Sequence, residues 1–295
     1  MRLVTFRGDD GAALGVLRGQ DEVLELAAPI DMLSLIDSGD EGMALVRSAL
    51  ESGKGRVHKL AGLRLAAPLP LPRGNVIAMG RNYQAHAEES ARAAGKAPDP
   101  PTVFTKAVTS VAGPYDDVVI DEAVTRQVDW EVELGVVVGR AGANIPRARA
   151  LDHVFGYLAV NDVSARDIQF GWGGQFFKGK SLDGFCPTGP WIVTRDELVD
   201  TGSLRLVLRV NGAVKQDGNT RDMIYPVDAI LEWVSKGMTL PAGTIIATGT
   251  PDGVGYARKP PEYLKPGDVV EAEVEGVGTL RNRFVAGEAR LPREI

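Results

Sequence analysis

Apolar and polar positions alternate along much of the chain in short runs bounded by turn residues, which is typical of β-strands. Residues 1–26 predict short strands with turns. Longer runs predict strands at 76–79, 134–138, 154–160, 204–210, 244–247 and 269–274. Helical spacing is found at 31–52, where Asp40 is a candidate cap and Gly53 a stop, at 83–94 before Gly95, and at 227–236 before Gly237. The pattern therefore predicts an α+β protein with more strand than helix.

The stretch 66–74 contains three prolines and is too proline-rich for a helix or a central strand. We interpret it as a linker between a small α/β N-terminal domain, residues 1–70, and a main domain, residues 71–295.

Composition excludes several classes of protein. The 295 residues carry a formal net charge of -6, so no basic surface for nucleic acid is expected. No apolar run approaches the roughly 18 residues that cross a bilayer, and residues 1–10 do not resemble a signal peptide. The single cysteine, Cys186, cannot form an internal disulfide and is expected to be a small buried hydrophobe rather than a nucleophile. A cytoplasmic location is the expectation.

Two acidic side chains, Glu131 and Glu133, precede the apolar run 134–138. Side chains alternate across a strand, so both would point to one face. Burying two like charges is costly unless a hard divalent cation such as Mg²⁺ or Mn²⁺ binds them through oxygen. The alternative is a solvated acidic strand face, because Asp129 adds a third acid nearby.

Asp162 follows the apolar run 158–161 and so lies at the end of a strand. If a helical turn follows, Asp162, Arg166 and Gln169 share one face, and a cation ligand, a fixed cation and an amide project together. A salt bridge from Arg166 to Asp162 or Asp167 is the alternative.

His86 lies in the first helix of the main domain, three residues before Glu89 and therefore on the same helix face. A carboxylate beside an imidazole fixes its tautomer and raises its basicity, as a general base requires. Arg81, Asn82 and Tyr83 supply nearby donors for a substrate. The alternative is an exposed histidine with an incidental acid beside it, and we expect His58 and His153 to be structural.

Residues 174–181 match the spacing of a phosphate-binding P-loop. The glycines and prolines of 182–190 preclude the helix that such a loop requires, so we reject nucleotide binding. The loop can instead bring Lys180 to a metal site. Residues 248–255 are also glycine-rich without a following helix, and we interpret them as a loop of backbone donors.

Together these segments resemble the fumarylacetoacetate hydrolase family, in its longer bacterial form with a small N-terminal domain. The matching segments, in the family's order over roughly residues 75–285, are 80–83 with His86 and Glu89, 131–134, 161–169, 179–190, 210–212 and 248–251. The resemblance implies a mixed β-roll, a homodimer, and Mg²⁺ or Mn²⁺ bound by Glu131, Glu133 and Asp162.

The resemblance also implies roles for other residues. Arg166, Gln169 and Lys180 would bind substrate or stabilise charge, and His86 with Glu89 would form a dyad on a mobile lid helix. The eponymous hydrolase has a further metal-binding aspartate before its histidine. Residues 79–83 contain none here, so we expect three carboxylates and a substrate other than fumarylacetoacetate.

These expectations combine into a hypothesis of metal-dependent C–C hydrolysis of an acylpyruvate-like 2,4-dioxo acid. The cation would polarise the oxo group and stabilise an enolate. His86 would activate water, Lys180 would assist, and Arg81, Tyr83, Arg166, Gln169 and Thr250 would surround the substrate. The alternatives are an oxaloacetate-type decarboxylase, a hydratase or isomerase of aromatic catabolism, and a metal-binding module without turnover.

Overall fold

A computed structural model describes residues 1–8, 11–26, 30–94, 102–171 and 173–287 of the chain. The strands in these ranges are β1 Arg2–Gly8, β2 Gly11–Arg18, β3 Glu22–Glu25, β4 Val57–Lys59, β5 Val76–Gly80, β6 Thr102–Lys106, β7 Val111–Ala112, β8 Val118–Ile120, β9 Val128–Asp129, β10 Val132–Val138, β11 Val154–Asn161, β12 Ser164–Ala165, β13 Cys186–Thr194, β14 Arg205–Val210, β15 Ala213–Asn219, β16 Ile245–Ala247, β17 Val269–Val274 and β18 Gly278–Ala286. The α-helices are α1 Met32–Asp37, α2 Gly39–Ser52, α3 Gln84–Ala94, α4 Arg166–Gly171, α5 Phe177–Lys180 and α6 Val227–Val234. Short 3₁₀ turns lie at Leu60–Gly62, Val108–Ser110, Arg147–His153, Thr220–Asp222 and Gly255–Ala257.

The strands form one large sheet, one medium sheet and one short ribbon. The large sheet has the order β4-β3-β2-β1-β13-β11-β10-β16-β5-β6, with β7 attached to β13. The medium sheet has the order β15-β14-β17-β18-β8, and β12 pairs with β9 in the ribbon. Parallel and antiparallel pairs both occur in the large sheet, since β16 runs parallel to β5 and antiparallel to β10. The predicted strand-rich α+β class is confirmed.

Strand β10 separates two parts of the hydrophobic core. Trp130, Val132, Leu134 and Val136 pack in one cluster with side chains of the medium sheet. Val137 packs in another cluster with the N-terminal strands and helices α1 and α2. This alternation confirms that residues 130, 132 and 134 share one face, and it leaves Glu131 and Glu133 on the other.

The predicted helices are confirmed with changed ends. The stretch 31–52 is divided into α1 and α2, and the expected capping role of Asp40 is wrong, because Asp40 lies inside the first turn of α2. Asp31 is the capping residue, since its extended backbone lets Oδ1 accept from Ser34 N at 2.7 Å. Gly53 ends α2 in the left-handed conformation, as predicted. Helix α6 ends at Val234, three residues before Gly237, and Gly95 lies outside the described residues.

The N-terminal strands continue the large sheet, because β1 pairs with β13 through Arg2–Val193 and Leu3–Ile192. Residues 66–74 contain neither helix nor strand, as the proline content predicts. The division at residue 70 into two domains stays a prediction. None of the described helices is long and apolar enough to span a membrane.

Candidate metal centre and active site

The register between β10 and β11 brings three acidic residues together. Val132 pairs with Asn161, so the start of β10 lies beside the end of β11. Asp162 N donates to Glu131 O at 2.9 Å, which fixes the two residues at this point. Glu131, Glu133 and Asp162 are all buried, and one carboxylate oxygen from each lies within 4.8 Å of the others. The residues predicted to bind metal are therefore brought together.

The donor set fits a hard divalent cation. Oxygens bound to one Mg²⁺ at about 2.0–2.1 Å lie at most about 4.2 Å apart, so side-chain shifts of under about 1 Å would bring these oxygens into range. Three carboxylates and no sulfur or imidazole ligand favour Mg²⁺ or Mn²⁺ over Zn²⁺. No further carboxylate belongs to this group within the described ranges, which agrees with the expected three.

Two buried lysines hold the carboxylates in place. Lys180, the last residue of α5, donates through Nζ to Glu131 Oε2 and Asp162 Oδ2, each at 2.8 Å. Lys106, the last residue of β6, donates to Asp162 Oδ1 at 2.6 Å and to Val163 O at 3.2 Å, and also to Lys180 O. Lys106 was not predicted as a site residue, because no local pattern marks a lysine that becomes buried. It uses all three ammonium hydrogens inside the site.

Arg166, the first residue of α4, lies against two acids on the other side. Nε donates to Asp129 Oδ2 at 2.9 Å, Nη2 to Glu131 Oε1 at 2.6 Å and Nη1 to Gln169 Oε1 at 2.8 Å. Arg166 and Gln169 share one face of α4, as predicted, but Asp162 is not on this helix, because strand β12 separates it from α4. The alternative interpretation of Arg166, a salt bridge to Asp162 or Asp167, is wrong in its partners. Ser164 pairs with Asp129 across the β12–β9 ribbon and carries Arg166 to that acid.

The charges of this cluster do not balance within the described part of the chain. Its buried carboxylates and cations are Asp129, Glu131, Glu133 and Asp162 against Lys106, Lys180 and Arg166. One negative charge is left over, and a bound dication would convert this excess into one positive charge. The loaded site would then attract an anionic ligand.

The pKa shifts of Glu131 and Glu133 show that the excess negative charge is compensated least at Glu133. Burial alone would raise the pKa of Glu131, but the charges of Lys180 and Arg166 outweigh it and lower that pKa to about 2. Burial raises the pKa of Glu133 well above its ordinary value, and the charges of Asp162 and Glu131 add to the rise. Among the described residues, Glu133 forms no ion pair like those of Glu131 with Lys180 and Arg166, and it accepts from Gly249 N at 2.8 Å. A cation would relieve the cost of ionising it.

The loop 248–255 donates backbone N–H groups to the site, as predicted. Besides Gly249, Gly253 N donates to both oxygens of Glu89 at 3.1 Å. Gly253 has φ +101°, and a Cβ there would lie 2.2 Å from Lys215 O, so only glycine fits this position. As predicted, residues 182–190 do not form the helix that a P-loop requires: α5 ends at Lys180, and the turn-rich segment 182–185 leads into strand β13.

Helix α3 carries His86 and Glu89, and its start is anchored by Asn82. Asn82 Nδ2 donates to Thr248 O at 2.8 Å and to Tyr225 O at 2.9 Å, and its Oδ1 accepts from Tyr225 N at 2.8 Å. His86 is 6% exposed, and its Nδ1 lies 3.5 Å from Glu89 Oε2 and has no hydrogen-bond partner in the part of the chain that the structure describes. The predicted pair is therefore adjacent, and Nε2 is the ring nitrogen left for a ligand.

A cavity of about 640 Å³ connects these groups. Its lining includes Glu131, Lys180, Arg166, Gln169, His86, Arg81 and Thr250, together with the aromatic residues Phe104, Phe170, Phe176 and Tyr256. Tyr83 is 1% exposed and does not contribute to the lining. Thr250 Oγ1 already donates to Val132 O at 2.9 Å, so its hydroxyl hydrogen is engaged. Substrate-binding roles for these residues stay predictions.

A buried carboxylate cluster of this kind, beside lysine, arginine and a histidine–glutamate pair, could hold a divalent cation next to a candidate general base. The family model described as fumarylacetoacetate (FAA) hydrolase C-terminal matches residues 75–285. The chain belongs to the fumarylacetoacetate hydrolase family.

Similar proteins carry several names. The chain is 41% identical over 284 residues to oxaloacetate tautomerase YisK of Bacillus subtilis, covering 94% of each protein. A solved fumarylacetoacetate hydrolase from Exiguobacterium antarcticum is 40% identical with a TM-score of 0.85, over 97% of this chain and 100% of that one. A 2-hydroxyhepta-2,4-diene-1,7-dioate isomerase from Mycobacterium marinum is 35% identical with a TM-score of 0.76, over 97% and 98%.

Proposed function

We propose that the protein is a divalent-metal-dependent enzyme that interconverts the keto and enol forms of oxaloacetate or a closely similar 2-oxo dicarboxylate. The observation that carries the proposal is the buried set Glu131, Glu133 and Asp162, whose oxygens lie within 4.8 Å of one another beside Lys180 and Arg166. The name of the Bacillus subtilis relative supports oxaloacetate as the substrate. This proposal replaces C–C hydrolysis as the first candidate.

The substrate chemistry matches the charge of the site. Glu131, Glu133 and Asp162 would hold Mg²⁺ or Mn²⁺, which would supply Lewis acidity toward the 2-oxo group. Because the loaded cluster carries one excess positive charge, a dicarboxylate is attracted to it. Arg166 has one N–H left on each terminal nitrogen after its bonds to Glu131 and Gln169, and these can bind a carboxylate.

The tautomerisation moves two protons. The C3–H bond breaks, its electron pair becomes the C2=C3 double bond, and the C2 oxygen gains a proton. Two ammonium hydrogens of Lys180 are bonded to carboxylates, and the third would pass as a proton to the C2 oxygen. His86 presents Nε2 as the base for the C3 proton, while Glu89 holds the opposite side of the ring. Lys180 would then recover a proton from solvent, to which the protonated base loses the proton taken from C3. The reverse transfers regenerate the keto form.

The test uses oxaloacetic acid dissolved in its enol form, with the enol followed by ultraviolet absorbance. The Mn²⁺-loaded protein should accelerate its conversion beyond Mn²⁺ alone, without release of CO₂ or pyruvate. Chelator-treated protein and Glu131→Gln should not. An unchanged rate contradicts the proposal, and stoichiometric CO₂ with pyruvate would assign a decarboxylase instead.

Hydrolysis of an acylpyruvate-like 2,4-dioxo acid is the second candidate. The His86–Glu89 pair favours it, because a base held by a carboxylate can also activate water. Acetate and pyruvate formed from acetylpyruvate in equal amounts, with no effect on the oxaloacetate enol, would favour hydrolysis over tautomerisation.

We also propose a homodimer, which the sedimentation velocity of the purified protein tests.

A further inference from the structure

Asp129 is a fully buried carboxylate outside the metal-binding set. Its Oδ1 accepts from Trp130 N at 2.8 Å and from Gly255 N at 2.7 Å. Its Oδ2 accepts from Tyr256 N at 3.0 Å and from Arg166 Nε at 2.9 Å. Each oxygen therefore accepts two hydrogen bonds from the protein, which fills the lone pairs of the carboxylate. Asp129 has no lone pair left for a ligand.

The four contacts join two parts of the active site. Arg166 is held on its Nε edge by Asp129, and the Tyr256 ring lies 4.5 Å from the guanidinium carbon. The same loop donates from Gly253 N to Glu89, which pairs with His86. The guanidinium and the loop that supports the base thus share one buried anchor.

An aspartate is required for this arrangement. An asparagine would present its NH₂ group to two of the four donors, so it would lose at least two hydrogen bonds and the charge opposite Arg166. A guanidinium held on one edge by a carboxylate and on one face by an aromatic ring keeps its terminal nitrogens in a fixed plane. That plane decides whether a carboxylate can be bound through both nitrogens.

We propose that Asp129 is a positioning residue that orients Arg166 and the loop 253–256, and through them sets the affinity of the loaded site for an anionic substrate. The inference rests on the proposed function for the identity of the substrate, but its test does not use turnover. Oxalate serves as the probe, since it is an unreactive planar dianion, and its binding is measured by calorimetry at saturating Mn²⁺.

Outer-shell partners of metal ligands are worth about 10–100-fold in affinity or activity. Asp129 supports Arg166 in the same way, so Asp129→Asn should weaken oxalate binding by a factor of about that size. Its Mn²⁺ affinity should stay at the wild-type value. The matched control is Asp167→Asn, because Asp167 is the residue that follows Arg166 in the chain. Asp167 accepts from Thr125 Oγ1, Arg126 N and Ile168 N and does not contact the guanidinium, so this variant should bind oxalate normally.

A double-mutant cycle tests whether Asp129 acts through Arg166. In an Arg166→Ala background, Asp129→Asn should weaken oxalate binding little further, because the group that it orients is gone. Additive losses, normal oxalate binding by Asp129→Asn, or equal losses of Mn²⁺ and oxalate binding each overturn the proposal. If Asp129→Asn does not fold at saturating Mn²⁺, Asp129→Glu replaces it, because this variant keeps the negative charge and displaces the oxygens. Weak oxalate binding by Asp129→Glu is expected if Asp129 positions Arg166. Normal oxalate binding is expected if only the charge of Asp129 matters. If Asp129→Asn weakens oxalate binding as expected but the wild-type protein does not tautomerise oxaloacetate, only the proposed function is refuted.

Discussion

Lys106 Nζ lies 2.6 Å from Asp162 Oδ1, and both side chains are fully buried. The pair connects the end of β6 with the end of β11, which are 56 residues apart in sequence. Since Lys106 occupies Oδ1, it leaves Oδ2 of Asp162 for Lys180 or a cation. The lysine therefore decides which oxygen of this carboxylate is available.

Removing Lys106 should destabilise the metal-free protein. Lys106→Met leaves Asp162 without one of its two cations, and breaking a buried ion pair costs about 3–5 kcal/mol. Urea unfolding at neutral pH measures the loss in free energy of unfolding. The control is Lys236→Met at an exposed helix end, which should change stability by less than about 0.5 kcal/mol. Equal effects of the two variants would contradict a structural role for the buried pair.

Two conservative changes within the carboxylate set should separate metal binding from apoprotein stability. Glu133→Gln removes a carboxylate whose pKa is raised by burial and by Asp162 and Glu131, so it should not destabilise the metal-free protein. Asp162→Asn removes the partner of Lys106 and Lys180, and should lower the melting temperature. Neither variant should gain thermal stability on addition of Mn²⁺. A melting temperature of Glu133→Gln that rises with Mn²⁺ as in the wild type would argue against Glu133 as a ligand.

Sequence alone paired Glu131 with Glu133 and His86 with Glu89 because each pair has a local signature, whereas Asp162 was joined to the two glutamates by the family resemblance. Alternation on a strand places Glu131 with Glu133, and helical spacing places His86 with Glu89. Lys106 and Asp129 have no such signature. Lys106 reaches Asp162 only through the order of strands in the large sheet, and Arg166 reaches Asp129 only through the β12–β9 ribbon. Partners set by non-local pairing could not be read from spacing, which is why the alternative interpretation of Arg166 named only the nearer acids Asp162 and Asp167.

The pair on α3 should act in turnover and not in metal binding. His86→Gln and Glu89→Gln should lower the tautomerisation rate, the first by about 10²–10⁴-fold, as expected when a general base is lost. Their Mn²⁺ affinity should equal that of the wild type, because neither residue belongs to the carboxylate set. His153→Gln is the matched control, since the His153 ring bonds to Arg140 O and does not line the cavity. A normal rate for His86→Gln would assign the base to another group.

Cys186 should be unreactive in the folded protein. It is 0% exposed, and burial raises the pKa of its thiol to about 12. At pH 8 about one molecule in 10⁴ would carry the thiolate, which is the form that reacts with iodoacetamide. Mass spectrometry should detect labelling only after unfolding in urea. Rapid labelling of the native protein would contradict the burial of this side chain.

The central claim is that Glu131, Glu133 and Asp162 hold one divalent cation. A crystal structure with Mn²⁺, with its anomalous scattering recorded near the manganese edge, tests this claim most directly. We expect a single strong anomalous peak at about 2.0–2.3 Å from one oxygen of each carboxylate, and no such peak in Glu131→Gln. An anomalous map with no peak among the three carboxylates, at a Mn²⁺ concentration that restores activity, would contradict it.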